Sequence, residues 1–237
     1  MVLVLVHFTL AMEYNDMQEL VFQGKKEVAR DTFVYEFAKP EGWTFRAGQY
    51  VAMKLPVMKY HDEKGDTRAF SLASAPSDTI VQFVMRQSES AFKRSIAELV
   101  SGDTVSVTSP TGKFALPDAS DASGVSMGET FVFLAGGVGI APIRSIIRQA
   151  RYDGRKELFI LMYSNRTPED APFFASVGDD GPEKYRVVHT MTDLEEGSQW
   201  NGEKGYIDAN MIARALGDMP MPNARFFLCG TNAFVEA

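Results

Sequence analysis

The chain has 237 residues, of which 45% are hydrophobic and 23% charged, a composition typical of a soluble globular protein with one large domain or two ordinary ones. A net charge of −7, a pI of about 5.1 and the lack of a basic tract argue against a nucleic-acid partner. A single cysteine, Cys229, excludes a disulfide framework and a protein-held iron–sulfur cluster, and three scattered histidines argue against a His-rich metal site. We therefore expect a reducing, cytoplasmic setting.

The first 11 residues, MVLVLVHFTLA, are apolar but lack a basic n-region. The run is too short to span a bilayer, so we expect neither a transmembrane segment nor a signal peptide. Two explanations stay open: an extra edge strand, or sequence upstream of a start at Met12.

From Met17 to about Pro117 the pattern predicts short strands separated by Gly and Asp, as in a small antiparallel barrel. The predicted strands are Thr32–Phe37, Gln49–Leu55, Thr79–Arg86 and Thr104–Thr108. One helix is predicted over Ala91–Val100, with Phe92, Ile96 and Leu99 on one face. The small polar run Ser120–Glu129 is expected to be a linker.

After Thr130 strands alternate with helices, which predicts a parallel sheet covered on both faces. The predicted strands are Phe131–Ala135, Leu158–Tyr163, Tyr185–Met191 and Phe226–Cys229. A helix is predicted over Ala209–Leu216, with Asp208 as its N-cap and Gly217 just past its end.

A glycine-rich turn follows the first of these strands, in FVFLAGGVGIAPIRSIIRQAR. Glycines before a helix let the backbone approach an anion, and the free N–H groups of the helix start favour negative charge. Pro142 is expected at the first helical position. Because Pro142 replaces the third glycine of G-x-G-x-x-G, the turn alone fits either a phosphate site or a tight strand-to-helix connection.

A second pattern is Arg68-Ala69-Phe70-Ser71. An arginine fork suits a diphosphate, an aromatic side chain can stack on a planar ring, and a hydroxyl can bond a ring nitrogen. On a strand, Arg68 and Phe70 share a face and Ser71 points to the other. Alone, such a sequence is most often only a strand.

Together these motifs resemble the ferredoxin–NADP⁺ reductase family of FAD-dependent oxidoreductases, over about Glu19 to Ala237. The family's R-x-[YF]-S, G-G-x-G-[IV]-x-P and C-G motifs occur in the expected order, at Arg68–Ser71, Gly136–Pro142 and Cys229–Gly230. The resemblance implies a six-stranded Greek-key barrel that binds FAD, over residues 12–119, and a Rossmann-like parallel-sheet domain that binds NADP or NAD, over residues 129–237.

The resemblance also implies roles for individual residues. Arg68 would hold the FAD pyrophosphate, Phe70 would stack on the isoalloxazine, and Ser71 and Cys229 would be the catalytic residues beside flavin N5 and the nicotinamide. The implied cofactor-binding residues are Arg68, Ala69, Phe70, Ser71, Met85, Arg86, Ser90, Ala91, Phe92, Lys93, Gly137, Val138, Gly139, Ala141, Pro142, Ser164, Asn165, Arg166, Cys229, Gly230 and Thr231, with no metal ligand.

The chain departs from the family pattern in three places. Ser90 and Lys93 stand where many relatives have a glycine and a Ser or Thr at a helix start, and Lys93 is expected either to add positive charge or to face solvent. Thr231 replaces the usual proline after the C-G motif. Relatives also continue past Ala237, so we expect an incomplete nucleotide domain with an exposed strand edge near Phe226–Leu228.

The leading hypothesis is an enzyme that moves a hydride from NAD(P)H to FAD and passes electrons to a separate carrier such as ferredoxin or flavodoxin. A reductase of free flavin or of a haem protein is the second. The third is a non-catalytic nucleotide-binding module, against which the pairing of Ser71 with Cys229 argues.

The strand at Leu158–Tyr163 favours NADPH over NADH as the hydride donor. NAD-binding sites place a carboxylate about 20 residues after the glycines, whereas this strand is followed by Ser164-Asn165-Arg166. No neighbouring carboxylate is evident in the sequence, so Arg166 could receive a 2′-phosphate. The alternative is that Arg166 faces solvent.

Overall fold

A computed structural model describes residues 2–5, 17–117, 129–217 and 224–236, which form two six-stranded sheets and four short helices. The strands are β1 Val2–Leu5, β2 Gln18–Ala29, β3 Thr32–Ala38, β4 Tyr50–Lys54, β5 Thr67–Ser71, β6 Ile80–Arg86, β7 Thr104–Val107, β8 Thr130–Gly136, β9 Leu158–Asn165, β10 Tyr185–Met191, β11 Glu203–Lys204 and β12 Ala224–Cys229. The helices are α1 Ala91–Ile96, α2 Ile140–Tyr152, α3 Ala209–Leu216 and α4 Asn232–Glu236.

The first sheet is antiparallel, with strand order β5-β4-β7-β2-β3-β6. Apolar side chains that alternate along its strands meet in one core, which contains Tyr35, Phe37 and Phe83 and is completed by Phe92 of α1. The antiparallel sheet carries the Arg68–Ser71 motif on its edge strand β5.

The second sheet is parallel, with strand order β1-β12-β8-β9-β10-β11. Helix α2 packs through Ile143 and Ile147 on one face, and α3 packs through Met211 and Leu216 on the other. Because both faces are covered, strand β8 is apolar nearly throughout rather than alternating. Within the described ranges, no helix has the length and apolarity needed to cross a membrane.

The predicted fold class is confirmed: an antiparallel six-stranded domain of barrel type and a parallel sheet with helices on both faces. Helix α3 has its predicted bounds, with Asp208 accepting a hydrogen bond from the Met211 N–H and Gly217 at φ 61° after its end. The predicted linker, residues 120–129, lies outside the described residues except for its last residue.

Two predicted helix boundaries are wrong. Helix α1 ends at Ile96 rather than Val100, because the N–H groups of Glu98 and Leu99 bond carbonyls only three residues back and turn the chain away. Helix α2 begins at Ile140 after a short 3-10 turn, so Pro142 is its third residue rather than its first. Pro142 still lies in the first turn, where its missing N–H has no intrahelical acceptor.

The predicted exposed edge at Phe226–Leu228 is also wrong. Strand β1 pairs with β12 in parallel, with Leu3 opposite Phe226 and Leu5 opposite Leu228. The described part of the N-terminal apolar run, residues 2–5, is therefore an edge strand, one of the two explanations that the sequence left open. This pairing joins the two ends of the described chain, which local sequence patterns do not reveal.

A buried charge cluster joins the two sheets. Arg144 of α2 donates from Nη1 to the Ala73 carbonyl and to Gln82 Oε1, both at 3.0 Å, and from Nε to Asp180 at 3.1 Å. Asp180 also accepts from Arg148 at 2.8 Å, and Arg148 reaches Asp78 at 2.9 Å. Burial lowers the pKa of Arg144, and the charge of Asp180 opposes that shift. The cluster fixes α2 against the antiparallel sheet.

We expect Asp180→Asn to destabilise the protein by about 3 kcal/mol, because it leaves the buried Arg144 guanidinium without its counter-charge. For a chain of this size, that loss corresponds to a melting temperature lower by roughly 6–12 °C. Glu183→Gln is the matched control, since it removes a carboxylate from the exposed Lys156–Glu183 pair and should cost less than about 1 kcal/mol. Equal melting temperatures for the two variants would contradict the role of the cluster.

Candidate active site

The segment that follows the Arg68–Ser71 strand is hydrogen-bonded to the start of helix α2. Beyond β5, the Ala73 carbonyl accepts from Arg144 at 3.0 Å and the Ser74 carbonyl accepts from Ser145 Oγ at 2.6 Å. Ala73 also packs in one apolar cluster with Val138 of the glycine turn and Ala141 of the first turn of α2. The two motifs identified in the sequence therefore meet at one junction between the sheets.

Arg68 and Phe70 lie on the same face of β5, as predicted. Both approach the buried ring of Phe92, Phe70 with ring centroids 5.6 Å apart and Arg68 with its guanidinium carbon 5.5 Å from the ring centroid. Phe70 is only partly buried, so part of its ring stays accessible. Ser71 follows on the other side of the strand and is half-buried.

Helix α1 begins beside this strand with a polar cap. Ser90 Oγ accepts from the Lys93 N–H at 3.4 Å, and the Ala91 N–H donates to a carboxylate oxygen of Asp62 at 3.1 Å. Lys93 does not face solvent freely, since its Nζ donates to the Arg86 carbonyl at 2.6 Å. Burial, and to a lesser extent the charge of Arg86, lowers the pKa of Lys93. This start of α1 concentrates N–H groups and positive charge.

Three implied binding residues have side chains directed elsewhere. Met85 and Phe92 lie in the core of the antiparallel sheet, because strand alternation and the helix face turn them inward. The Arg86 guanidinium donates to the Asp170 carbonyl at 2.9 Å, in the segment that follows β9. Met85 and Phe92 can therefore offer a ligand only backbone groups, and the Arg86 side chain links the two sheets.

The glycine turn needs glycine at two positions for different reasons. Gly137 has φ of 54°, a conformation that side chains disfavour. A Cβ on Gly139 would lie 2.2 Å from the Cys229 carbonyl oxygen, so only glycine permits this contact between backbones. The close approach brings the turn directly against the C-G motif at the end of β12.

Tyr163 of β9 supports this turn, and the sequence analysis did not assign it a role. Its hydroxyl lies 3.1 Å from the carbonyl oxygens of Gly137 and of Pro172, and these two oxygens share its one proton. Burial raises the pKa of Tyr163, so the hydroxyl keeps its proton. The only signal in the sequence was a tyrosine in an otherwise apolar strand, which reads as an ordinary core residue.

The end of β9 presents a buried amide without a hydrogen bond of normal geometry. Asn165 is 6% exposed, and neither its Oδ1 nor its Nδ2 makes a hydrogen bond of normal geometry among the described residues, although its interaction with the Tyr163 hydroxyl opposes the rise in the pKa of Tyr163. Buried amides in proteins are normally bonded, so this one points to a ligand at the carboxyl end of the strands. Ser164 precedes it and is buried as well.

Arg166 does not lie free of carboxylates, contrary to the expectation from the sequence. Its Nη2 donates to Asp193 Oδ2 at 2.9 Å, and both side chains are more than half exposed. Asp193 follows β10, which pairs with β9, so the contact is between neighbours in the sheet that are far apart in the chain. The prediction that no carboxylate lies near Arg166 is therefore wrong, and it no longer favours NADPH over NADH.

The cysteine of the C-G motif is buried. Cys229 is 8% exposed, and burial raises the pKa of its thiol to about 12. The thiol is thus neutral near pH 7. Gly230 follows, and Thr231 begins α4 by accepting from the Phe234 N–H through both its carbonyl and its hydroxyl.

The fold and the junction define an architecture in which a glycine turn on a parallel sheet packs against an antiparallel domain. The model of the oxidoreductase NAD-binding domain matches residues 133–237 of the chain. NADH–cytochrome b5 reductase 1 of Eremothecium gossypii is 26% identical over 230 residues, which cover 94% of this chain and 77% of that protein. Ferredoxin–NADP reductase B of Sorangium cellulosum is 28% identical over 211 residues, which cover 85% of this chain and 80% of that protein.

A solved structure agrees with these relatives. The ferredoxin–NADP⁺ reductase from Neisseria gonorrhoeae, determined with bound FAD and NADP, shares the fold with a TM-score of 0.73 and 23% identity, over 93% of this chain and 87% of that one. These relatives and this structure come from ferredoxin–NADP⁺ reductase-like proteins, which the chain resembles over most of its length, and the chain is an oxidoreductase of that type.

We expect Tyr163→Phe to weaken NAD(P)⁺ binding about fivefold, because loss of one hydrogen bond to the glycine turn costs about 1 kcal/mol. Tyr185→Phe is the matched control, since it removes a hydroxyl bonded to the Val177 carbonyl in the same core. Both variants should melt at similar temperatures. Calorimetric titration should show weaker nucleotide binding only for Tyr163→Phe, and equal affinities would contradict the support role.

Proposed function

We propose that the chain transfers a hydride from NAD(P)H to FAD and passes the electrons on to a separate carrier protein. The observation that carries the proposal is the junction itself, where the continuation of the Arg68–Ser71 strand is bonded to the start of α2 beside the glycine turn. Hydride transfer requires the nicotinamide and the flavin rings to be in contact. A junction that joins the Arg68–Ser71 segment to the glycine turn supports this arrangement. We also propose the domain limits 12–119 and 129–237.

The flavin side fits FAD by the chemistry of its donors. Arg68 offers a planar fork suited to a diphosphate, and the Ala91 N–H at the start of α1 adds a backbone donor. Lys93 adds positive charge close by, at the Arg86 carbonyl. Phe70 keeps part of its ring accessible for stacking, and Ser71 supplies a hydroxyl at the end of the strand. FAD, when bound, would accept a hydride ion and release its electrons singly.

The nicotinamide side fits a dinucleotide for separate reasons. The turn from Gly137 to Pro142 provides free N–H groups at the start of α2, where phosphate is favoured. Asn165 supplies the buried amide that lacks a hydrogen bond of normal geometry, and Tyr163 holds the turn in place. Cys229 has its backbone carbonyl against Gly139 and a neutral thiol, so it is suited to positioning the nicotinamide rather than to exchanging a proton.

The choice between NADPH and NADH centres on Arg166 and Asp193. Arg166 would meet the 2′-phosphate of NADPH once it leaves Asp193, and that contact would favour NADPH. The ion pair is exposed and therefore weak, so its rearrangement costs little. Asp193 could instead accept a hydrogen bond from a ribose 2′-hydroxyl, and that contact would favour NADH.

The proposed electron acceptor is a separate one-electron carrier such as ferredoxin or flavodoxin, by likeness to the relative from Sorangium cellulosum. A haem protein is the second candidate, because the relative from Eremothecium gossypii, which covers 94% of the chain, is named for cytochrome b5.

We expect Arg68→Ala to weaken FAD binding by about one to two decades, because charge-assisted bonds to a phosphate contribute roughly 1.5–3 kcal/mol. Arg214→Ala is the matched control: it removes the same charge from helix α3, where the guanidinium pairs at 2.8 Å with Glu203 of the parallel sheet. Quenching of flavin fluorescence during titration gives both affinities. Unchanged affinity in Arg68→Ala would refute the assignment of the diphosphate site.

A further inference from the structure

The carboxylate of Asp62 contacts both groups that we propose to hold the FAD diphosphate. Its Oδ1 is 3.4 Å from Arg68 Nη2, and its Oδ2 accepts from the Ala91 N–H at 3.1 Å. These groups come from different elements, strand β5 and the start of α1, and they are held together by one side chain. A carboxylate that bridges a guanidinium and a backbone N–H makes the same contacts as a phosphate oxygen pair.

The rest of the connection between β4 and β5 encloses the same arginine. Arg68 Nη1 donates to the carbonyls of Lys64 and Gly65 at 2.7 and 3.1 Å, and to its neighbour Thr67 at 2.7 Å. The Lys64 N–H in turn donates to Asp62 Oδ1 at 2.9 Å. The hydrogen-bonding edge of Arg68 is thus engaged by the loop of residues 61–66.

The charge state of Asp62 suits this contact. Desolvation raises its pKa, but hydrogen bonds from the Ala91 and Lys64 N–H groups and the charge of Arg68 outweigh that effect, so the pKa lies below its usual value. Asp62 is therefore ionised throughout the neutral range, and it carries the same sign of charge as a diphosphate.

The loop is built so that this contact can open without disturbing the core. At its base, the Tyr60 N–H donates to Ser95 Oγ at 3.1 Å, and the Tyr60 ring lies against Arg94. Beyond that anchor, residues 61–65 are exposed and bury little apolar surface. A movement confined to this tip would release the Asp62 carboxylate from Arg68 and from the Ala91 N–H.

We propose that Asp62 is an internal competitor for the cofactor's diphosphate. This inference rests on the proposed function, because it assigns a role to Asp62 at the FAD site. The diphosphate binds Arg68 and the Ala91 N–H only after the Asp62 carboxylate leaves them, and the displaced carboxylate then lies near a group of like charge. Asp62 therefore lowers the affinity for FAD, whereas Arg68 raises it.

The test is equilibrium titration of the full chain, freed of any flavin that copurifies, with FAD as the fluorescent probe. Asp62→Asn keeps the shape of the side chain and removes its charge, so we expect FAD to bind about three- to tenfold more tightly, the range set by a weak exposed ion pair and one hydrogen bond. Glu63→Gln removes the same charge from the adjacent exposed position and should leave the affinity within about twofold.

Each outcome has a separate meaning. Unchanged or weaker FAD binding in Asp62→Asn would overturn the inference, and weaker binding would show that Asp62 instead orients Arg68. An equal gain in Glu63→Gln would also overturn it, since general charge would then explain the effect. In an Arg68→Ala background, the gain from Asp62→Asn should shrink. A parent chain that binds no FAD would refute the proposed function together with this inference, whereas failure of Asp62→Asn alone would leave the proposed function standing.

Discussion

The buried guanidinium of Arg144 is the constraint on which the arrangement of the two sheets depends. It is 8% exposed, donates to a backbone carbonyl and a side chain of the antiparallel domain, and is neutralised by Asp180 from the parallel one. A buried cation is stable only with its full set of partners, so the two sheets must meet in one orientation to provide them. Since Arg144 lies one turn after the start of α2, that orientation also fixes the glycine turn relative to β5.

Two arginines that we propose to bind phosphate have similar surroundings. Arg68 and Arg166, the residues proposed to meet the flavin diphosphate and the 2′-phosphate, each have an exposed aspartate partner, Asp62 and Asp193. Exposed ion pairs are weak, so a phosphate group can replace the carboxylate at modest cost. In this acidic chain, the carboxylates balance the charge of each arginine, and on the proposed function they also compete with phosphate for it.

Much of the fold could be predicted from local patterns. The glycine turn, the apolar runs of the parallel strands and the caps of α3 are encoded by residues within a few positions of one another, and each lies where the pattern indicated. What could not be predicted is long-range: β1 against β12, Asp180 against Arg144, and Asp193 beside Arg166. Strand pairing and sheet packing create these contacts. The hydrophobic periodicity of one segment does not show which distant segment it will pack against. The roles of Tyr163 and Asp62 were missed for the same reason, because each depends on what faces it.

The proposed function requires that a nicotinamide donor at the glycine turn reduce a flavin held by the Arg68 strand. The most direct test is an anaerobic spectral titration of the FAD-loaded chain with NADPH and, separately, with NADH. The yellow flavin band should bleach at about one equivalent of nucleotide. A chain that keeps its FAD but does not bleach with either nucleotide would contradict the proposed hydride transfer and would indicate a binding module instead.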